Sequence, residues 1–144
     1  MGINKQPIFT VAPILVTADI NSGGNTIDLG NIVSSCTNVF SASSPEGTLI
    51  ERITVTAKAD ITLNNVSNKL IYLIVWDGTT YAVLKVFKFT EIVVANTNLP
   101  PSETITFEGG IILVDGNQLY VGQTAVGGDG DGLHIVIEGG TYTV

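Results

Sequence analysis

The residues of this 144-residue chain that could do chemistry are few: one histidine, one cysteine, scattered acids and a glycine-aspartate run. His134 is the only histidine, so any mechanism built on two imidazoles within one chain is excluded. Its neighbours Leu133, Ile135 and Ile137 alternate with it, which places His134 on the strand face shared with Val136. No base-and-orienter partner stands near it in the sequence, and a plain strand histidine is the reading preferred. Cys36 lies between Ser35 and Thr37 with no basic neighbour to lower its pKa, the setting of an inert, half-buried thiol.

Gly127-Gly128-Asp129-Gly130-Asp131-Gly132 is the best candidate for a metal site, because Asp129 and Asp131 could offer oxygens to Ca²⁺. The run is similar to the calcium-binding glycine-rich nonapeptide repeat. Gly132 stands where that motif wants Asp, no second copy follows, and the third oxygen and distant Glu of an EF-hand loop are missing. A hairpin tip is the simpler reading, so no metal or other cofactor is expected. Paired carboxylates for glycoside hydrolysis would have to come from Asp77, Glu91, Glu103, Glu108 or Asp115, and no spacing singles out two of them. Asp77 and Asp115 each precede Gly, which is turn chemistry. Trp76 and Tyr81 flank one turn, where a cross-strand aromatic pair competes with a sugar-stacking platform. No enzyme is expected.

The elements that must position these groups read as strands. Leu70 to Val75 is a nearly unbroken apolar run, Tyr81 to Phe87 is rich in β-branched and aromatic residues, and Asp77-Gly78 hinges the two into a hairpin. A run of that kind needs cover on both faces. Ile53, Val55 and Ala57 alternate with Arg52, Thr54, Thr56 and Lys58, the period of a strand with one wet face. Further short strands are expected near 26–33, 36–42, 87–95 and 105–107, over 111–114, at 119–121 and at 133–138, where Gly139-Gly140 closes the last one. No segment carries a helical period. Eight to ten strands with turns every 8–12 residues give an all-β fold, an antiparallel β-sandwich, and a jelly roll is the preferred version.

Residues 1–25 carry Pro7 and Pro13 and no helix period, and read as an extended N-terminal arm preceding a sandwich domain over 26–144. Within the arm Ile8, Phe9, Val11, Ile14 and Leu15 are the candidate partner-binding residues, able to add a strand or buried surface to a neighbour. Pro7, Thr10 and Pro13 spoil the apolar helix of a signal peptide, and no run approaches the ~20 apolar residues of a membrane span.

Composition narrows the partners. Six basic against thirteen acidic residues leave a net charge of −7 without a basic cluster, which argues against nucleic acid. Only 13% of residues are charged and the mean hydropathy is +0.40, against about 25% charged in an average soluble domain. Apolar surface in excess marks interfaces, so the chain reads as a subunit of something larger. One cysteine forbids an internal disulfide, which fits assembly in a reducing cytoplasm.

Val39-Phe40-Ser41-Ala42, then Gly47 with Ile50, Ile53, Val55 and Ala57, then Trp76 to Tyr81, and finally Leu113, Gly116, Leu119 and Gly139-Gly140-Thr141-Tyr142 follow one another in a telling order. Over residues 39–142 this order resembles the small β-sandwich virion proteins of tailed bacteriophages. The resemblance implies a head decoration or auxiliary capsid protein, made in the host cytoplasm and sitting on the outer surface of the head. It implies a homotrimer bound to the major capsid protein, and brings no catalytic residues. The segment 1–38 and the glycine-aspartate loop depart from the pattern. A tail-fibre, head-fibre or baseplate module that binds host-surface glycans through Trp76 and Tyr81 is the alternative.

Overall fold

The computed structural model describes residues 10–20, 27–57, 70–88, 102–123 and 132–143. Eight strands and one helical turn follow in the order β1 (Thr10–Ile20), α1 (Ile32–Ser35), β2 (Thr37–Ser41), β3 (Thr48–Ala57), β4 (Ile71–Trp76), β5 (Tyr81–Phe87), β6 (Ser102–Leu113), β7 (Gln118–Gln123) and β8 (Leu133–Thr143). They form two antiparallel four-stranded sheets, β1-β8-β3-β6 and β2-β7-β4-β5. Successive strands alternate between the sheets through most of the chain, the strand order of an eight-stranded jelly roll.

Alternation decides what enters the core. Ile53, Val55 and Ala57 pair with Ile137, Ile135 and Leu133 of β8, and all six are buried. From the other sheet Ile71, Leu73, Leu119 and Val121 meet them, so the apolar periods expected over β3, β4 and β7 are the core. The unbroken run of β4 is explained by a second, smaller cluster. Ile74 and Tyr120 point to the outer face of their sheet, where Ile32 closes over them and Ile27, Leu29, Cys36, Tyr72 and Trp76 pack around.

That cover replaces the strand expected near 26–33. Asp28 takes the backbone into a turn: its carboxylate accepts from Gly30 N–H at 2.9 Å, and its carbonyl accepts from Asn31 N–H at 2.9 Å. Ser35 then donates its hydroxyl to the Asp28 carbonyl and accepts from Asp28 N–H, which closes the loop on α1. Polar side chains that bond their own backbone here outcompete a ladder.

The hairpin is present with a four-residue connection, since Trp76 and Tyr81 are the last register pair. Asp77 Oδ1 accepts from Thr79 and Thr80 N–H at 2.8 and 2.7 Å, Oδ2 accepts from the Thr80 hydroxyl, and Gly78 takes φ 98°.

The arm gives way over its described part. Thr10–Ile20 pairs residue for residue with β8 and is an edge strand of the sandwich. Pro13 disguised it, although an edge strand tolerates proline because one side of its backbone has no ladder to lose. Residues 1–9 and 21–26 lie outside the described residues. Gly139 and Gly140 also do not end the last strand: they sit within β8 because a β-carbon would overlap the Leu49 carbonyl at one and Val11 at the other.

Candidate functional site

His134 has a partner that lies 115 residues away in the chain. Its Nδ1 contacts Oδ1 of Asp19, which β1 places directly opposite in register. The cross-strand row continues through Thr56 to Ser102, whose hydroxyls lie 2.9 Å apart. An acid, an imidazole and two hydroxyls thus share one line across the sheet. The line lies on an open face: the His134 and Asp19 side chains are 52% and 58% exposed. Asp19 and Ser102 stand on the edge strands β1 and β6, with His134 and Thr56 on the inner strands between them, so the row runs the full width of the sheet. Its chemistry is that of a surface contact. Local sequence carried no signal of Asp19, because only the β1–β8 register brings it there.

On the same face Arg52 Nε donates to Glu138, which raises the guanidinium pKa further and holds the carboxyl below its ordinary range. Pro13, Ile14, Leu15, Glu51, Arg52, Glu138 and Gly139 line a shallow groove beside this pair. Cys36 is half-buried, and burial pushes its thiol pKa up, the opposite of what a nucleophile requires. Asp77 is held low, chiefly by the Thr80 and Thr79 backbone N–H groups and then by the Thr80 hydroxyl, so its carboxylate serves the turn. Asp115 sits in the turn between β6 and β7. Glu91, Asp129 and Asp131 lie outside the described residues, and among the described residues no group of three potential metal ligands comes together.

Of the arm residues, Val11 and Leu15 face solvent at 43% and 68% exposure, while Ile14 is partly buried and packs against the core. Ile8 and Phe9 lie outside the described residues. Trp76 is half-buried against the small outer cluster, and Tyr81 opposite it stays exposed.

What the surface does present is apolar. Tyr81, Val83 and Val86 of β5 are exposed, and Val83 and Val86 pair with Ile74 and Tyr72, residues of the outer face of the second sheet. On the other sheet Ile112 stands out between Ile111 and Leu113, which turn inward, and Val114 follows at the turn, with 59% and 56% exposure. The four sheet edges are meanwhile guarded against strand addition. β1 carries Pro13, β2 is five residues long with an irregularity between Asn38 and Phe40, and β5 is broken in register beside Lys85. In β6, Gly109 and Gly110 at φ 74° and 75° lie in a bulge opposite Glu51. Proline, bulges, short strands and edge lysines are the usual means of blocking edge-to-edge pairing. The edges are therefore poor templates, and the faces are where contact area lies.

No family model matches the sequence, and no curated protein matches it. Among solved structures the chain is similar to a pentameric capsid protein isolated from metagenomic phage sequences, with 15% identity, 90% of this chain and 62% of that one covered, and a TM-score of 0.43. A second structure described as a pentameric capsid protein of the same kind gives 14%, 90%, 64% and 0.42. The Eiger TNF of S. frugiperda gives 10% identity, 88% and 91% coverage and 0.42. The chain thus spans less than two thirds of the two capsid proteins. Likenesses at this level assign neither family nor function.

Proposed function

We propose that this chain is a structural subunit of a phage virion, a decoration or auxiliary protein that binds the outside of the head shell by passive contact. The observation that carries the reading is the pairing of a compact core with large apolar side chains left on both outer faces, in a chain with only 13% charged residues. Surface of that kind is what a subunit buries against its neighbours. The order of motifs from Val39 to Tyr142 supports the same reading. The Asp77 carboxylate is engaged in its turn and the His134 row is an exposed cross-strand contact, which fits a body whose role is mechanical.

Attachment through faces suits this chain better than strand addition by the arm, since its edges are blocked and Thr10–Ile20 is built into the sheet. Residues 1–9 keep the role of a tether to the major capsid protein within this proposal. The test is deletion of residues 1–9: binding to the shell should fall while the melting transition stays nearly in place, and undiminished binding would reject the tether. A glycan-binding fibre module is the second reading and draws on the exposed ring of Tyr81. Trp76 is engaged against Ile32, Ile74 and Tyr120, which counts against a two-ring platform. Glycan-array binding abolished by Trp76→Ala without loss of the fold would favour it.

A further inference from the structure

Residues 27–37 form a loop whose two ends meet the sheet side by side. Ile27 N–H donates to the Gln123 carbonyl at 2.8 Å, and Thr37 pairs with Val121 where β2 begins. The two anchors are neighbours but one on β7, about 7 Å apart at ~3.4 Å per residue, with the bare backbone of Gly122 between them. A compact loop of this length with adjoining ends is an Ω-loop, packed by its own side chains. Its polar groups bond within it. Asp28 N–H donates to the Ser35 hydroxyl, which donates in turn to the Asp28 carbonyl, and the Asp28 carboxylate accepts from Gly30 N–H. Asn31 and Cys36 N–H donate to the Asp28 and Ile32 carbonyls. Towards the sheet the loop offers apolar contact instead: Ile32 lies over Ile74 and Tyr120, with Ile27, Leu29 and Cys36 beside them.

This contact is separate from the sandwich core. None of residues 27–36 belongs to the cluster between the sheets, and Ile32 is the one residue among them that is fully enclosed. The face beneath the loop also continues into the open, because Val83, Val86 and Tyr81, which pair with Ile74, Tyr72 and Trp76, are exposed. The outer face of the sheet is therefore apolar from β7 to β5, and the loop covers its β7 side alone.

We infer that the 27–37 loop is a strap that leaves the sheet as one unit while the two sheets stay packed, with Ile32 as its latch. Its departure uncovers Ile74 and Tyr120 and joins them to the Tyr81, Val83 and Val86 surface, so the apolar area that this subunit presents is set by the strap. Segments held by few buried contacts are the ones that open below the free energy of global unfolding. A single helical turn is not stable by itself, so α1 melts as the strap lifts. The inference concerns the isolated chain and goes beyond the virion role without resting on it.

The test is iodoacetamide labelling of two variants in a Cys36→Ser background, Ile74→Cys and Leu73→Cys, at urea concentrations below the unfolding transition. The two positions are neighbours in β4 and both are fully buried, one under the strap and the other between the sheets. The Ile74→Cys thiol should label roughly tenfold faster or more, with a weak dependence on urea. The Leu73→Cys thiol should label only through unfolding of the whole chain, with the steep dependence of a large exposed surface. Adding Ile32→Asp should bring the Ile74→Cys thiol close to the labelling rate of the unfolded chain, while urea still unfolds the sandwich in one cooperative transition. In the wild type, the Ile27 amide should exchange its hydrogen with the same weak urea dependence, since its bond to Gln123 breaks whenever the strap lifts. Equal labelling with equal urea dependence at the two positions, an Ile27 amide that exchanges only with global unfolding, or an Ile32→Asp chain that loses strap and sheets together would each overturn the inference.

Discussion

Cys36 packs onto the bare backbone of Gly122: a β-carbon at Gly122 would meet the Cys36 sulfur at 2.8 Å and Ile27 Cδ1 at 2.7 Å. This contact seats the 27–36 segment on the sheet and lets Ile32 cover Ile74 and Tyr120. Gly122→Val is expected to destabilise the fold by ~1–3 kcal/mol through overpacking, read as a lower urea midpoint. An unchanged midpoint would mean that the segment is not docked as described.

The same contact sets the behaviour of the thiol. Burial raises the Cys36 pKa, so at neutral pH the native thiol should react with iodoacetamide much more slowly than in urea. Ile32→Ala should speed the reaction by loosening the cover. Equal rates in the native and unfolded chain would contradict the half-buried setting.

Leu73 lies fully buried between the sheets, and Leu73→Ala should cost ~2–5 kcal/mol. His134→Ala, by contrast, removes one side of an exposed pair and should change stability by only about 0–1 kcal/mol. Denaturant melts of the two variants check the contrast. A large loss from His134→Ala would show that the row ties β1 to β8 more strongly than an exposed pair does.

Much of this organisation was legible in the sequence. The alternation at Ile53, Val55 and Ala57 and the Asp77-Gly78 hinge announced β3 and the β4–β5 hairpin, because their signals are local. What stayed hidden depends on partners distant in the chain. Pro13 made β1 look like an arm until β8 paired with it, and Asp19 met His134 only through that pairing. Gly139-Gly140 looked like a stop, while the backbone of β8 needs them to pass Leu49 and Val11. The loop-and-helix cover over Ile74 was invisible because Ile27, Leu29 and Ile32 follow no single period.

The Asp77 turn gives an expected pH dependence. Hydrogen bonds from Thr80 and Thr79 lower the folded-state pKa of Asp77 below its unfolded value, so the folded state binds fewer protons there. Its contribution to stability is full above the unfolded carboxylate range, around pH 4, and is lost as pH falls through the depressed value. The melting-temperature gap between the wild type and Asp77→Ala should therefore be widest near neutrality and narrow in acid. A gap independent of pH would show that the carboxylate charge does not hold the turn.

The proposed virion role is tested most directly by the copy number of the protein in purified particles, measured by quantitative mass spectrometry against the major shell protein. A structural subunit of the head should be present in many copies, in a simple ratio to the shell. A handful per particle would move the protein to the tail or a fibre, and its absence from particles would rule out a virion role.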